Sequence, residues 1–593
     1  MSKFIKYCIK AFALFILVSI FTYPLIFKFT SYIPAFYSTD EPYAALWHFW
    51  WLAYSHQQHL ISTTTSFIAA PFGFTFAPSG YYLWGNINKI LSIVLNNIVA
   101  YNIQVVLSYM LSFWFMFLLV KKITKNYLSS IFSALIYTFC PYHAVRTWQH
   151  LGLAQIQWIP LYLLSLVNFA QEQSKKNILF AALCFALVFN FDFYYAYFTF
   201  IVTVVFFIYV LIQKKYLNKF KFVFSMLFVG AVCFIFILPN LVNVFLFMKQ
   251  AQLNQTAQGD FGYIRNFGDL FAQSARPLSY LLPVTTHPIF GGFAESMVGS
   301  SLYGVSLTEH ALYLGWVGII FAIFASRVWL RKRNHDYLNC DERFYLGFFV
   351  VLAFVAWLFS QPPWWQIGRF KLYMPAFFMY KLLPMFRANC RFGIILMLAI
   401  AVLAGFGLKL FLQRFQSQKT RVVVTILLCS LVLFEFWNYP PFKVVNVKNV
   451  NQVYYWLRDE PGNFVVAEYP LDADSPNELY KFYQTVHKKK IINGIPFGSH
   501  AQKVARKIIN LTNPNTARIL SWMGVKYVLV HREAYLSTGL VEIKQELESL
   551  GQIKGLRFKM SFAVQECRGL SMCPGMLEQV DVYEIVASPL APN

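Results

Sequence analysis

Charged residues are scarce in this sequence, and acidic residues are the scarcest of them. Only 13% of the 593 residues are Asp, Glu, Lys or Arg, whereas 58% are hydrophobic and 19% are aromatic. A single soluble core cannot bury that much apolar surface, so the composition excludes an ordinary soluble enzyme and indicates that lipid is the solvent. The sequence also has no P-loop and no glycine-rich dinucleotide fingerprint, which argues against nucleotide hydrolysis.

Long runs without charge occupy the N-terminal three quarters of the chain. Residues 12–27, 105–120 and 222–248 are examples that are apolar on every face, over about the 17 to 25 residues that a membrane helix needs. A β-barrel strand would alternate apolar and polar residues, so these runs predict helices. Lysines precede the first run and no small-residue cleavage site follows it, so we interpret this run as an uncleaved anchor.

Lysine and arginine collect at alternate loops, and short cytoplasmic loops are the ones that hold an excess of them. With the N-terminus inside, this pattern predicts about eleven membrane helices in a domain of residues 1–438. The predicted helices are 11–27, 103–120, 127–142, 151–169, 177–193, 195–213, 222–247, 309–327, 344–360, 391–409 and 421–437. The predicted external loops are 28–102, 248–308 and 361–390. The third and fifth segments are short, which favours broken or tilted helices that line a cavity.

From about Tyr439 the composition changes, because charged residues, prolines and amphipathic stretches replace the apolar runs. Strands are predicted at Val465–Tyr469, Tyr527–His531 and Val580–Ile585, and helices at Asn451–Arg458, Thr516–Met523 and Val541–Leu550. Alternating strands and helices are typical of an α/β domain. An odd number of membrane helices would place this domain, residues 439–593, outside the cytoplasm.

Two cysteines of the predicted external domain, Cys567 and Cys573, lie six residues apart. An oxidising compartment permits a disulfide between them. A single pair of cysteines at this spacing is a weak metal signal and no histidine lies nearby, so we favour the disulfide and predict no metal site there.

Six basic residues lie on the predicted external side, where the orientation rule does not require them. They are Arg146, Arg369, Lys371, Lys381, Arg387 and Arg391. Such groups indicate an anionic partner, and a lipid phosphate or diphosphate at the membrane surface suits both guanidinium and ammonium groups. Pairing with lipid headgroups, or with Glu295 and Glu309, explains them equally well. The net charge of +24 follows largely from the cytoplasmic clusters, so it does not indicate nucleic acid as a partner.

Two adjacent carboxylates, Asp40 and Glu41, follow the first predicted helix and precede an aromatic stretch, residues 47–51. Carboxylates this close to a bilayer need water, a cation or a substrate. A carboxylate in this loop can act as a general base towards an acceptor hydroxyl. Asp40 followed by Pro42 also suits the start of a helix. The capping role and the catalytic role are compatible.

Several short motifs accompany this carboxylate pair. They are Pro141-Tyr142-His143 with Arg146 and His150, Trp158-Ile159-Pro160-Leu161, Glu309 with Tyr313-Leu314-Gly315, Leu383-Pro384-Met385-Phe386-Arg387 with Arg391-Phe392, and Gly524-Val525-Lys526-Tyr527-Val528. With them the chain resembles the GT-C superfamily of polytopic glycosyltransferases, which includes the protein O-mannosyltransferases and the aminoarabinose transferase that acts on lipid A. Members of that superfamily keep an acidic residue, often in an Asp-Glu pair, in the first external loop, and Asp40 and Glu41 match it.

The resemblance implies transfer of one sugar from a polyprenyl-phosphate donor in the membrane lipid to a cell-envelope glycan, lipid or protein, with inversion at the anomeric carbon. Asp40 would be the general base, while Glu41 would orient it, hold an acceptor hydroxyl or share a divalent cation. The candidates for binding the donor phosphate are Arg146, Arg387, Arg391 and His143.

Other residues are weaker candidates for the same site. They are His150, Asp192, Glu309, Arg369 and Lys371. For His143 and His150, a histidine satisfied at the membrane interface is the commoner outcome. A polar turn between two helices explains Asp192 as well as a catalytic role does. Two further classes of function stay open, namely a transporter of lipid-linked glycans and a non-catalytic scaffold of the cell envelope. A transporter would need internal repeats and ionisable residues in the middle of its membrane helices. We find no internal repeat and few charges in mid-helix.

Overall fold

The computed structural model describes residues 2–35, 40–75, 82–213, 219–253, 266–331, 338–438, 444–448, 450–473, 477–496, 499–537, 547–563 and 579–591. The chain divides into two compact units, each described by itself below. Unit 1 is Met1–Pro24, Ile103–Leu241 and Tyr263–Phe442, and unit 2 is Leu25–Asn102, Val242–Gly262 and Lys443–Asn593. Unit 2 combines the C-terminal segment with most of the first predicted external loop, and the two domains proposed from the sequence, residues 1–438 and 439–593, stay a prediction.

The first half of the chain is almost entirely helical. Its helices are α1 (Ser2–Phe21), α2 (Asp40–Gln57), α3 (Tyr82–Val94), α4 (Asn97–Thr124), α5 (Tyr127–Thr138), α6 (Pro141–Gln149), α7 (Trp158–Gln171), α8 (Lys175–Phe191), α9 (Phe193–Ile212) and α10 (Lys219–Leu253). Three short strands interrupt them, β1 (Tyr32–Pro34), β2 (Thr64–Thr65) and β3 (Phe74–Thr75).

The middle of the chain adds further helices and one hairpin. The helices are α11 (Asp269–Ala272), α12 (Pro277–Leu281), α13 (Gly291–Met297), α14 (Trp316–Leu330), α15 (Cys340–Ser360), α16 (Pro375–Leu382), α17 (Gly393–Leu412) and α18 (Gln418–Glu435). The hairpin is formed by β4 (Trp364–Ile367) and β5 (Phe370–Tyr373). A short 3-10 helix, Asn389–Phe392, leads into α17.

The C-terminal part mixes strands and helices. The strands are β6 (Val444–Asn446), β7 (Val465–Tyr469), β8 (Lys490–Ile491), β9 (Val525–His531), β10 (Leu556–Phe562) and β11 (Val580–Ile585). The helices are α19 (Gln452–Asp459), α20 (Glu478–His487), α21 (His500–Ala505), α22 (Thr516–Trp522) and α23 (Arg532–Ser537). The three predicted strands are thus present, whereas much of the helix predicted at Val541–Leu550 lies outside the described residues.

Five helical segments in the described part of the chain are long and apolar enough to cross a bilayer. They are Asn97–Thr124, Phe193–Ile212, Lys219–Val242, Cys340–Ser360 and Asn389–Leu412. The pair α5 and α6 qualifies as a sixth if it is one span bent by 41°. These helices make the chain a membrane protein, while the count of about eleven spans stays a prediction.

Each predicted membrane segment overlaps a helix, but several of them differ in their bounds, and the third and the eighth differ most clearly. The short third segment is broken between α5 and α6, because Pro141 has no backbone N–H and begins a new helix at its first position. The eighth was predicted to begin at Glu309, yet α14 begins at Trp316, after Gly315 with a positive φ of 79°. Glu309 therefore lies in the irregular segment before the helix. The fifth segment, in contrast, is the continuous helix α8.

Helix α17 forms the centre of unit 1. Nearly all of its side chains are buried, and it contacts α5, α14 and α15. Close approach is possible because α17 carries glycines, and a Cβ at Gly407 would lie 2.1 Å from the carbonyl oxygen of Phe321 in α14. At its far end, Lys409 forms an ion pair with Glu342, which caps α15. Packing and one paired charge thus locate α17 inside the bundle.

In unit 2, the first predicted external loop pairs with the C-terminal segment at several places. Strand β1 is antiparallel to β6, and α2 packs along α20. Trp47 of α2 donates a 2.8 Å hydrogen bond to the buried amide of Gln484 in α20. Main-chain pairing and aromatic packing therefore explain why this loop belongs to unit 2.

A five-stranded mixed sheet forms the core of unit 2, in the order β10-β11-β9-β7-β8. Strand β7 is parallel to β8 and β9, while β11 is antiparallel to β9 and β10. A polar cluster is buried beside it, in which Glu468 accepts from Tyr454 at 2.8 Å and lies 2.9 Å from the imidazole of His531. Such a carboxylate is tolerated in a core because polar partners surround it.

The contact between α14 and α17 makes a direct prediction. Gly407→Ala should destabilise the protein by about 1–3 kcal/mol, because the new methyl group would meet main-chain atoms that cannot move aside. Thermal unfolding of the purified protein in detergent measures this as a lower midpoint. The matched control is Gly230→Ala in α10, where a Cβ meets open space and the midpoint should stay the same or rise slightly. Equal midpoints for both variants would contradict the close approach.

Candidate functional site

The carboxylate pair Asp40 and Glu41 forms the first turn of α2. Both side chains are exposed, whereas the residues that follow them in the helix are mostly buried. The helix start agrees with the sequence prediction. The positive end of the helix dipole faces both carboxylates, which favours negative charge at this position. An exposed, ionisable pair is therefore held at the end of a well-packed helix.

Two residues of α20 add to this pair, and local sequence gave no signal for either. Glu478 forms a 2.7 Å ion pair with Lys481. Burial raises the pKa of Glu478, Lys481 opposes that rise, and the negative charges of Glu41 and Asp40 add to it. Since α20 packs along α2, the acidic residues Asp40, Glu41 and Glu478 of unit 2 come from distant parts of the chain.

The aromatic residues of α2 serve packing rather than an open surface. Trp47 and Trp51 stack with ring planes 4° apart, and both are only 1% exposed. The ammonium group of Lys481 lies 4.9 Å from the ring of Trp47. These tryptophans therefore hold α2 against α20 and are not available to stack on a sugar.

In unit 1, one carboxylate is shared by two predicted phosphate-binding arginines. Arg146 of α6 donates to Glu309 through both terminal nitrogens, at 3.2 and 2.6 Å. Arg391, at the start of α17, donates to the same carboxylate at 2.5 and 3.0 Å. Burial raises the pKa of Glu309, but the charges of the two guanidinium groups lower it well below its usual range. The two guanidinium groups therefore favour the ionised form of Glu309.

Aromatic rings complete this arginine cluster. The guanidinium of Arg146 lies over the ring of Tyr142 and that of Arg391 over the ring of Tyr194, at 4.9 and 4.6 Å. Arg146 is fully buried. Removing one partner of such a buried ion pair costs about 3–5 kcal/mol, because the other charge is left without compensation. The pairing of these arginines with Glu309, one of the alternatives that the sequence left open, is thus present.

Arg387 differs from the two buried arginines. It pairs with Asp269 at 3.0 Å, and 39% of its side chain remains exposed. Its backbone N–H also donates to the hydroxyl of Tyr194 at 3.3 Å. Arg387 therefore lies close in sequence to the buried cluster but keeps a guanidinium group that a ligand can reach.

The remaining polar candidates near the cluster make local contacts. Asp192 is buried and caps α9 by accepting from the backbone N–H of Tyr195 at 3.1 Å. His143 is buried, with its ring nitrogens 3.0 Å from the hydroxyl of Ser108 and 2.7 Å from the carbonyl of Thr138. His150 ends α6. Asp192 thus lies at the turn between α8 and α9 and caps α9, while its catalytic role stays a prediction.

Other predicted site residues lie apart in the chain or outside the described part. Arg369 and Lys371 are exposed on the hairpin β4–β5, where the ammonium group of Lys371 lies 4.5 Å from the ring of Trp364. Cys567 and Cys573 fall outside the described residues, so the disulfide between them stays a prediction. Among the described residues, no three His, Cys, Asp or Glu side chains are arranged to hold a metal ion.

One solved glycosyltransferase structure has a similar fold. The arabinofuranosyltransferase AftD from Mycobacteria is 14% identical, with a TM-score of 0.59, and the likeness covers 99% of this chain. This chain spans only 40% of the length of the AftD chain. At such low identity, the likeness establishes the fold alone.

Two other solved structures are more loosely similar. The oligosaccharyltransferase AglB from Archaeoglobus fulgidus is 11% identical with a TM-score of 0.47, over 88% of this chain and 69% of that one. ArnT from Cupriavidus metallidurans, in a structure with bound undecaprenyl phosphate, is 10% identical with a TM-score of 0.43, over 99% of both chains. No curated protein matches the sequence significantly.

A family profile matches most of the membrane part of the chain. Its description is Domain of unknown function (DUF6311), and it covers residues 85–435, which is more than half of the sequence. The GT-C resemblance predicted from short motifs is confirmed at the level of the fold. The chain is therefore a membrane protein of GT-C-like fold that belongs to the family Domain of unknown function (DUF6311).

Proposed function

We propose that this protein is a glycosyltransferase that moves one sugar from a polyprenyl-phosphate donor to a cell-envelope acceptor, with inversion at the anomeric carbon. The acceptor is a glycan, lipid or protein on the extracytoplasmic face. The observation that carries the proposal is the exposed pair Asp40 and Glu41 in the first turn of α2, in a chain whose fold is GT-C-like.

In the proposed reaction, Asp40 takes the proton from an acceptor hydroxyl while the oxygen attacks the anomeric carbon of the sugar. The bond between that carbon and the phosphate oxygen breaks, and polyprenyl phosphate leaves with the electron pair. Glu41 orients the acceptor hydroxyl. Glu478 and Lys481 of α20 form an ion pair, which adds one negative and one positive charge to the helix that packs along α2.

The departing phosphate gains negative charge, so the reaction needs a positive group that reaches it. Arg387 suits this role, because its partly exposed guanidinium group can bind phosphate through two parallel hydrogen bonds. Arg146 and Arg391 are held by Glu309, and we assign to them a fixed positive field rather than direct exchange of partners. His143 lies in α6, as Arg146 does, and its ring contacts the hydroxyl of Ser108 and the carbonyl of Thr138. We assign to it the role of holding α6 in place.

We further propose that the chain crosses the inner membrane about eleven times, with the N-terminus in the cytoplasm and residues 439–593 outside. The support is the alternation of basic clusters between loops. A polyprenyl-phosphate donor fits this orientation, because Asp40 and Glu41 then lie away from cytoplasmic nucleotide sugars.

Protease accessibility tests the orientation. Protease added to intact spheroplasts should remove residues 439–593 and leave a protected membrane fragment, because the domain lies outside. A periplasmic and a cytoplasmic marker protein, followed in the same samples, control for leakage. Protection of the domain until the cells are lysed would mean that the number of spans is even.

Substitution of the proposed base tests the chemistry. Asp40→Asn keeps the size and a hydrogen-bonding oxygen but removes the proton acceptor, so turnover should fall by about 10²- to 10⁴-fold with little change in donor binding. A carboxylate that only caps α2 predicts a nearly silent variant, since asparagine caps helices about as well as aspartate. The assay is sugar transfer by purified, folded protein.

Glu41→Gln is the matched control for Asp40→Asn, because it removes the neighbouring charge in the same helical turn. A smaller loss of turnover is expected for Glu41→Gln, in line with an orienting role. Full activity of both variants would rule out carboxylate catalysis at this position and favour a scaffold.

Arg387→Lys tests binding of the donor phosphate. The charge is kept but the paired hydrogen bonds of guanidinium are lost, so affinity for polyprenyl phosphate should fall by about tenfold. Thermal stability should change little, because the side chain is partly exposed. Arg414→Lys, in the predicted cytoplasmic loop, is the control and should bind normally. Unaltered affinity in Arg387→Lys and in Arg387→Ala would remove this residue from the site.

A further inference from the structure

A cleft of about 580 Å³ lies in unit 1 at the end of α4 and the start of α8. Its polar lining residues are Lys122, Lys176 and Glu172, together with three residues that carry side-chain amides. The formal charge of the lining is therefore +1. Cavities of about 300–1,000 Å³ are typical of small-molecule sites, so the cleft is large enough for more than a single ion.

The two lysines reach the cleft from different helices. Lys122 belongs to the last turn of α4, and Lys176 belongs to the first turn of α8. The neighbouring Lys121 instead places its ammonium group over the rings of Phe117 and Tyr127, at 5.6 and 5.9 Å. Of the adjacent residues Lys121 and Lys122, only Lys122 lines the cleft, and of Lys175 and Lys176, only Lys176 does. Two lysines from different helices that line one cleft favour an anion.

The other side of the cleft is apolar. It is formed by Leu179, Phe180 and Leu183, which follow Lys176 along α8. The two leucines are 48% and 38% exposed, so they present apolar surface beside the charged end. Along a helix, Lys176 and Leu183 are about 10 Å apart. Charge is thus followed by apolar surface over about the depth that separates lipid headgroups from acyl chains.

We propose that this cleft binds an anionic phospholipid, with the phosphate between Lys122 and Lys176 and the upper acyl chain along Leu179 and Leu183. The proposal rests on the membrane location of the chain and is independent of the transferase activity. Exposed lysines alone bind a soluble anion weakly, whereas basic clefts between membrane helices bind anionic lipid headgroups when an apolar wall lies next to them. A bound lipid would brace the ends of α4, α7 and α8.

Native mass spectrometry of the full-length protein in micelles that contain phosphatidylglycerol or phosphatidylcholine tests the proposal. The wild-type protein should retain phosphatidylglycerol in preference to phosphatidylcholine. Lys122→Gln with Lys176→Gln should weaken phosphatidylglycerol binding by about tenfold or more and leave phosphatidylcholine binding unchanged. The corresponding double change to arginine, which keeps the positive charges, should restore binding. All of these changes lie at exposed positions, so folding should be preserved.

The matched control is Lys121→Gln with Lys175→Gln, which removes the same charge from the neighbouring positions. It should bind phosphatidylglycerol like the wild type. An equal loss in the control would show diffuse attraction rather than a site and would overturn the proposal. Equal retention of phosphatidylcholine would overturn it too. Displacement of the lipid by glycerol 3-phosphate at equal concentration would also do so, because a soluble phosphate would then suffice.

Discussion

A single buried carboxylate, that of Glu309, joins three separate parts of unit 1. It accepts hydrogen bonds from Arg146 in α6 and from Arg391 at the start of α17, and it lies in the irregular segment before α14. Charges inside an apolar bundle are stable only when they are paired, since each would otherwise carry the full cost of lost hydration. The position of α17, against which α5, α14 and α15 pack, therefore depends on this shared ion pair as well as on close helix contact.

The charged candidates for the site differ in whether they are buried and paired or exposed. Arg146 and Arg391 are committed to Glu309, and Asp192 is committed to the start of α9. Asp40, Glu41 and Arg387 remain accessible. Catalysis requires groups that can meet a substrate and a rigid framework that positions them. The proposed transferase chemistry uses the accessible groups for proton transfer and phosphate binding, while the paired groups stabilise the helices of unit 1.

The helical segments could be predicted because a continuous apolar run leaves few alternatives to a membrane helix. The strands β7, β9 and β11 were likewise evident from their local pattern. The third segment was predicted to be broken or tilted because it is short, and it is broken before Pro141. The late start of α14, after Gly315 with its positive φ, was not predicted, because the apolar pattern does not mark the residue at which the helix begins. The sequence also contained no local signal that α2 would pack on α20, or that Glu478 and Lys481 would lie near Asp40. Those contacts join residues more than 400 positions apart, and only the folded chain brings them together.

The central claim is that a polyprenyl-phosphate sugar is consumed by this protein, and mass spectrometry of polyprenyl lipids and envelope glycans tests it most directly. Cells that lack the protein should accumulate one polyprenyl-phosphate sugar and lose the corresponding sugar from an envelope glycan, lipid or protein. The wild-type gene should reverse both changes. Identical lipid and glycan profiles with and without the protein, under conditions in which it is expressed, would contradict the account.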